Sequence, residues 1–247
     1  LICLLTRVEY RLFRRSIELL IFMKNKAIGS EKVKKTWPTK KAMEQVYSKR
    51  LWGGNKHDFY SGEGSHHPDI VNPYINALSS FLTSFESPLV VCDLGCGDFN
   101  VGKELVKHTE SYIAVDIVQA LIEDNKEKFR EDNLEFRCLD IATDSLPFGD
   151  CVLLRQVLQH LSNTEIERIL SKLTDYKYVI LTEHIPEGEF IPNKEIISGQ
   201  GTRLKKHSGL NLLEPPFNFK VINEKELSSV NLNGVKGLFV TTQYQMF

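Results

Sequence analysis

Hydrophobic positions change their period partway along this chain. From Pro68 the apolar residues Val71, Ile75, Leu78, Leu82 and Phe85 recur at helical spacing, which predicts a helix ending near Ser87 and Pro88. Beyond it, LVVCDL (89–94), YIAVDI (112–117), LEFRCLDI (134–141), CVLLRQV (151–157) and YKYVILTEHI (176–185) are short apolar runs that read as buried strands. Between them lie helical patterns from Val101 to Thr109 and from Val118 to Glu131. A third opens at a capping box, in which Ser162 precedes Glu165 by three, and carries Ile166, Ile169, Leu170 and Leu173 on one face. Five strands alternating with helices imply an α/β fold with a mostly parallel sheet covered on both faces. The tail adds strands at 218–223 and, after a turn-like NLNG, at 237–247, with room between them for a short helix at Glu224 to Ser229. Too little chain remains there for full crossovers, so the last two strands are expected to pair antiparallel.

Ahead of the helix, Thr39 to Arg50 is polar and helix-prone. LWGGNKHDFYSGEGSHHP then packs four glycines, three histidines and three aromatics into eighteen residues. Gly62 and Gly64 permit close backbone approach to a ligand and the aromatics supply flat apolar surfaces, so this loop is expected to fold over a bound molecule as a lid. His66 and His67, with Asp69 behind them, read as a polar loop, and no metal constellation stands out.

The 247 residues are 42% hydrophobic and 26% charged, the composition of a globular protein with one large domain. Charge is uneven. Residues 1–56 carry fourteen Lys or Arg against four Asp or Glu, leaving about −11 for the rest, so residues 1–56 are read as a basic helical extension and 57–247 as the domain. Charged residues interrupt the apolar patches of residues 1–22, which excludes a membrane span or a secretory signal there. The chain opens with Leu and its first Met is Met23, so residues 1–22 read as an over-extended frame, with an amphipathic surface helix as the rival reading. Five cysteines without a CxxC pair argue against a disulfide framework or a zinc finger and for a reducing, cytoplasmic setting.

Chemistry concentrates in VVCDLGCGDFNVG, residues 90–102. A strand ending at Asp93 runs into Gly95 and Gly97, a tight turn that brings bare backbone N–H groups against a ligand. Asn100 stands where a dinucleotide fingerprint needs its third glycine, which disfavours an NAD-type domain. Asp116 ends the next strand, placed to bond a ribose diol, and Asp140 ends the third, followed by Ile141.

On these residues the sequence, from about Ser61 to its end, resembles the class I S-adenosylmethionine-dependent methyltransferases. The resemblance implies a Rossmann-like seven-stranded sheet of order 3-2-1-4-5-7-6 with strand seven antiparallel, and S-adenosyl-L-methionine as cofactor. It implies that the Asp93, Gly95, Cys96 and Gly97 turn contacts the methionine part. Asp116 with Ile117 would bind the ribose hydroxyls and Asp140 with Ile141 would lie by the adenine, and Gln156, beyond strand four, is a further cofactor-binding candidate. The pattern departs at Asp98, where many members have glycine.

Methyl transfer from a sulfonium is an in-line displacement, so a hydroxyl acceptor must be aligned and lose a proton. The candidate bases lie beyond strands four and five: His160, His184 and Glu183. No NPPY-type tetrapeptide follows strand four, which favours oxygen as acceptor atom. The segment after strand five is long enough to build the acceptor pocket, and Arg155, Arg203 and His207 are candidates to hold an anionic group. The overall look is similar to members associated with bacterial surface-polysaccharide clusters. The reading is therefore O-methylation of a small anionic acceptor such as a sugar, nucleotide-sugar or sugar-phosphate. Two alternatives stand beside it: an RNA methyltransferase guided by the basic arm, and a non-catalytic cofactor-binding scaffold.

Overall fold

The computed structural model describes residues 37–55 and 58–247; the readings made for residues 1–22 and for most of the basic arm lie outside the described residues. Residues Trp37–Phe247 form one compact unit, which begins well before residue 57. Among the described residues, four helices, α1 (Thr39–Ser48), α2 (Pro68–Leu82), α3 (Gln119–Lys128) and α4 (Asn163–Leu173), flank seven strands. The strands are β1 (Val90–Leu94), β2 (Ser111–Asp116), β3 (Leu134–Cys138), β4 (Cys151–Arg155), β5 (Tyr178–Ile185), β6 (Asn223–Asn231) and β7 (Leu238–Gln245). Their order is β3-β2-β1-β4-β5-β7-β6, with β1 to β5 parallel and β7 antiparallel to both neighbours.

The apolar runs are continuous because the central strands are covered twice. Cys92, Leu94, Val152 and Leu154 face the side sealed by Ile166, Ile169, Leu170 and Leu173 of α4, while Val91, Cys151 and Leu153 face Tyr74, Leu78 and Leu82 of α2. Ser162 caps α4 reciprocally with Glu165, as the spacing predicted. A third cluster packs Met43 and Val46 of α1 against Val118 and Leu121, which is why residues 39–48 belong with the domain.

Three elements differ from expectation. Helix α2 stops at Leu82, because the hydroxyls of Thr83 and Ser84 take the carbonyls of Ser79 and Phe81 and end the ladder. Residues 101–109 form two 3₁₀ turns, Gly102–Glu104 and Val106–His108, instead of one helix. The cause is Phe99, which at φ 59° drops its ring among Tyr112, Phe129 and Phe136 and draws Gly102 against it. Finally, β6 occupies Asn223–Asn231, where the short helix was expected, and residues 218–222 of the expected strand lie outside it. An edge strand is largely exposed, so it shows no apolar alternation, and an irregularity between Glu226 and Ser228 breaks the period of two further. Among the described residues no helix is long and apolar enough to cross a membrane.

Candidate active site

The turn after β1 is latched onto the end of β2. The amides of Gly95 and Cys96 both donate to the Val115 carbonyl, at 2.7 and 2.9 Å, and the Gly97 amide donates to Asp116 Oδ2 at 3.1 Å. Asp116 Oδ1 accepts from the Val118 amide, and Asn125 from α3 donates to the Gly97 carbonyl at 2.8 Å. Gly95 (φ 92°) and Gly97 (φ 57°) sit in left-handed backbone, and a Cβ on them would collide with Val157 and with Ser61. Asp93 accepts from the Tyr112 hydroxyl at 2.9 Å. Burial lifts both Asp93 and Asp116 to about 6, since each carboxylate loses solvation that neighbouring donors only partly replace.

The glycine-rich loop lies across this turn as a strap. Asp98, the departure from the family pattern, is its anchor: Oδ2 accepts from the Ser61 amide at 2.7 Å and meets His66 Nε2 at 2.6 Å, while the Asp98 amide donates to Ser61 Oγ. Asn100 donates to the Ser65 carbonyl, the Arg155 guanidinium bonds Ser65 Oγ and the Gly64 carbonyl, and Gln156 also reaches Gly64. Tyr60 stacks on His66 at 4.2 Å, and His67 caps α2 through Asp69, which accounts for both loop histidines without a metal.

Beneath the strap is a cleft enclosing about 1150 Å³ out to its mouth. Asp93, Gly95, Cys96, Gly97, Asp116, Ile117, Asp140, Ile141 and Gln156 all line it, as do Arg155 and His160. Gly62 and Gly64 do not, but their neighbours Ser61 and Ser65 do. Tyr47, Trp52 and Tyr74 form the aromatic wall. Trp52 lies in the loop flagged for its aromatics; Tyr47 and Tyr74 carried no signal, because each reads as one more residue of a helix. His160 Nδ1 lies 3.2 Å from the Gly201 carbonyl, its ring 5.1 Å from that of Trp52, and burial lowers it to about 4. A carbonyl only accepts, so Nδ1 carries the proton, and the Nε2 lone pair lies 3.4 Å from the Gln159 side-chain amide nitrogen, a weak donor at that distance.

Four candidate residues are placed elsewhere. Arg203 is 1% exposed and spends its guanidinium on the carbonyls of Lys194, Leu158 and Leu161 and on Asn163 Oδ1, so it stitches the segment after β5 to the β4–α4 connection and holds no substrate. His207 is exposed at the end of the Arg203–Lys206 turn and away from the cleft. His184 stacks on Phe239 at 4.0 Å, with Nε2 against the Lys236 carbonyl. Glu183 is buried on the opposite side of β5, in a separate cavity. The long segment itself packs Leu210, Leu212 and Phe219 onto the sheet and contributes no lining residue to the cleft.

The residues present fit S-adenosylmethionine. The bare glycine cradle admits a close backbone contact. Asp116 and Asp140 present carboxylates where the resemblance puts ribose and adenine, and Arg155 Nε is a buried donor without a partner, suited to the methionyl carboxylate. Fold and cleft together are those of a class I methyltransferase domain, with a cradle that fits S-adenosylmethionine as cofactor. Residues 91–176 match the family described as Methyltransferase domain. No curated protein matches the sequence significantly. Among solved structures, the fold is similar to that of the N-methyltransferase NodS from Bradyrhizobium japonicum in complex with S-adenosyl-L-homocysteine: TM-score 0.60, 13% identity, 83% of this chain and 98% of that one covered. It is also similar to human N-acetylserotonin methyltransferase in complex with S-adenosylmethionine (TM-score 0.53, 16% identity, 85% and 60% covered). Magnesium protoporphyrin IX methyltransferase from Synechocystis with bound S-adenosylmethionine is a third (TM-score 0.51, 16% identity, 86% and 100% covered).

The strap makes one variant informative. A Cβ on Gly64 would strike the Gln156 side-chain amide, so Gly64→Val is expected to lift the strap and weaken S-adenosylmethionine binding by roughly tenfold, with the thermal midpoint near wild type. Calorimetric titration checks this, and unchanged affinity would remove the strap from the binding site.

Proposed function

We propose that the protein transfers a methyl group from S-adenosylmethionine to a hydroxyl of a small, sugar-like acceptor. The observation that carries this reading is His160. Its ring lines the cleft, stays neutral above about pH 4, and is fixed by Gly201 in the tautomer whose Nε2 accepts a proton. The cofactor supplies an activated methyl on a positively charged sulfur that leaves without assistance. The chain's own residues have to align the hydroxyl, exclude water and receive its proton. Trp52, beside His160, offers a flat apolar face on which the C–H face of a sugar ring packs. With Arg203 and His207 elsewhere and Arg155 suited to the methionyl carboxylate, the reading requires no anionic group on the acceptor.

The test is transfer of labelled methyl from S-adenosylmethionine into a cell extract resolved into small anions, carbohydrate, RNA and protein. Label is expected in nuclease-resistant carbohydrate or sugar-phosphate, and label released by ribonuclease would overturn the reading. With that acceptor, His160→Gln is expected to lower kcat by about 10²-fold while leaving cofactor affinity intact. A wild-type kcat would exclude His160 as the base.

A further inference from the structure

A second cavity, enclosing about 940 Å³ out to its mouth, opens on the α4 side of the sheet, over β5, β7 and β6. Its floor is apolar, from Leu181, Val240 and Leu210, with Phe190 beside them. Into this floor projects Glu183, 3% exposed: Oε2 accepts from the Gln159 amide at 3.1 Å, whereas Oε1 is buried with no hydrogen-bond partner. Glu224 and Glu226 line the same cavity from β6, the latter in register with Thr242 and Leu181, while among the described residues no Lys, Arg or His lines it. The cation that Glu183 feels, Arg203, has committed its guanidinium to carbonyls and Asn163.

We propose that this cavity binds an organic cation, a protonated primary amine carried on a short apolar frame. A buried carboxylate oxygen without a donor is costly, and natural folds leave few such groups without a purpose. An ammonium supplies the missing donor and the compensating charge, and its apolar frame covers Leu181, Val240 and Phe190. In the protein alone, burial pushes the Glu183 carboxyl up to about 8, the response of an acid whose charge nothing nearby fully neutralises. A metal ion fits poorly, because among the described residues no three acidic, His or Cys groups converge to hold one. The site is separate from the methyl-transfer cleft and does not depend on the acceptor assigned there.

The experiment is calorimetric titration of the full chain at pH 9, where Glu183 is ionised and an alkylammonium is still charged, with n-pentylamine, and with pentanol and pentanoate as neutral and anionic analogues of the same length. Saturable binding of pentylamine is expected, at least tenfold tighter than pentanol, with pentanoate not binding. Glu183→Gln is expected to weaken pentylamine by tenfold or more. Glu226→Gln, on an exposed edge strand where folding is not at risk, is expected to weaken it about threefold, and Trp52→Ala in the other cleft to leave it unchanged. Equal affinity for amine and alcohol, no binding of the amine, or wild-type affinity in both glutamate variants would overturn the assignment.

Discussion

Replacing Asp116 with alanine is expected to weaken S-adenosylmethionine binding by about 10² to 10³-fold. A carboxylate that accepts a ribose hydroxyl makes a charge-assisted bond of roughly 1.5 to 3 kcal/mol, and alanine removes both oxygens. It also frees the Gly97 and Val118 amides, so the turn that faces the cofactor loses its fastening to β2. Calorimetric titration, with circular dichroism to show the fold intact, measures this, and an affinity within threefold of wild type would remove Asp116 from the site. The same carboxylate sets a pH dependence. Asp93 and Asp116 titrate at about 6 in the free protein, raised from 3.8 by burial, so both are ionised above pH 7 and become neutral as pH falls through 6. A cationic cofactor loses favourable charge over that interval, and its affinity is expected to fall between pH 7 and pH 5. For stability the sign is opposite. Raised acids favour the folded state below their unfolded pKa, and that contribution is lost as pH rises through about 6.

The second large effect concerns stability. Arg203→Ala is expected to destabilise the fold by about 3 to 5 kcal/mol, because it strips donors from four buried acceptors at once and leaves Glu183 without a neighbouring positive charge. For a domain of this size that corresponds to a fall in Tm of roughly 6 to 20 °C. Arg203→Lys is expected to recover little, since an ammonium cannot reach the same carbonyls in the plane of a guanidinium. Urea denaturation distinguishes this role from acceptor binding, which would raise KM and leave the midpoint in place.

Arg203 also marks where sequence reasoning stops. An arginine in a polar stretch next to lysines reads as a surface charge, and only the fold shows that this one is enclosed while Lys205 and Lys206 stay exposed. The cofactor end was legible because its constraints are local. A strand, two glycines that need positive φ, and acids at successive strand ends must be close in sequence to work as a turn, so Asp93, Gly95, Gly97, Asp116 and Asp140 could be placed before any coordinates. The parallel sheet followed from five strands of continuous apolar character, and its order from the family resemblance. Adjacent on β5, His184 and Glu183 point to opposite faces of the sheet, and neither lines the cleft, which opens at the strand ends rather than on either face. Edge strand β6 was illegible because an exposed strand needs no apolar alternation, and Tyr47 and Tyr74 because their helical faces look like any other core stripe.

The strap over the β1 turn has a kinetic meaning. Its hydrogen bonds run from protein to protein: Ser61 and His66 to Asp98, Ser65 to Asn100 and Arg155. Were cofactor exchange to require those bonds to part, association would saturate with cofactor concentration at the rate of strap opening, and turnover would inherit that ceiling wherever the chemical step is faster. Where many members have a glycine, this chain has an aspartate that ties the strap to the turn.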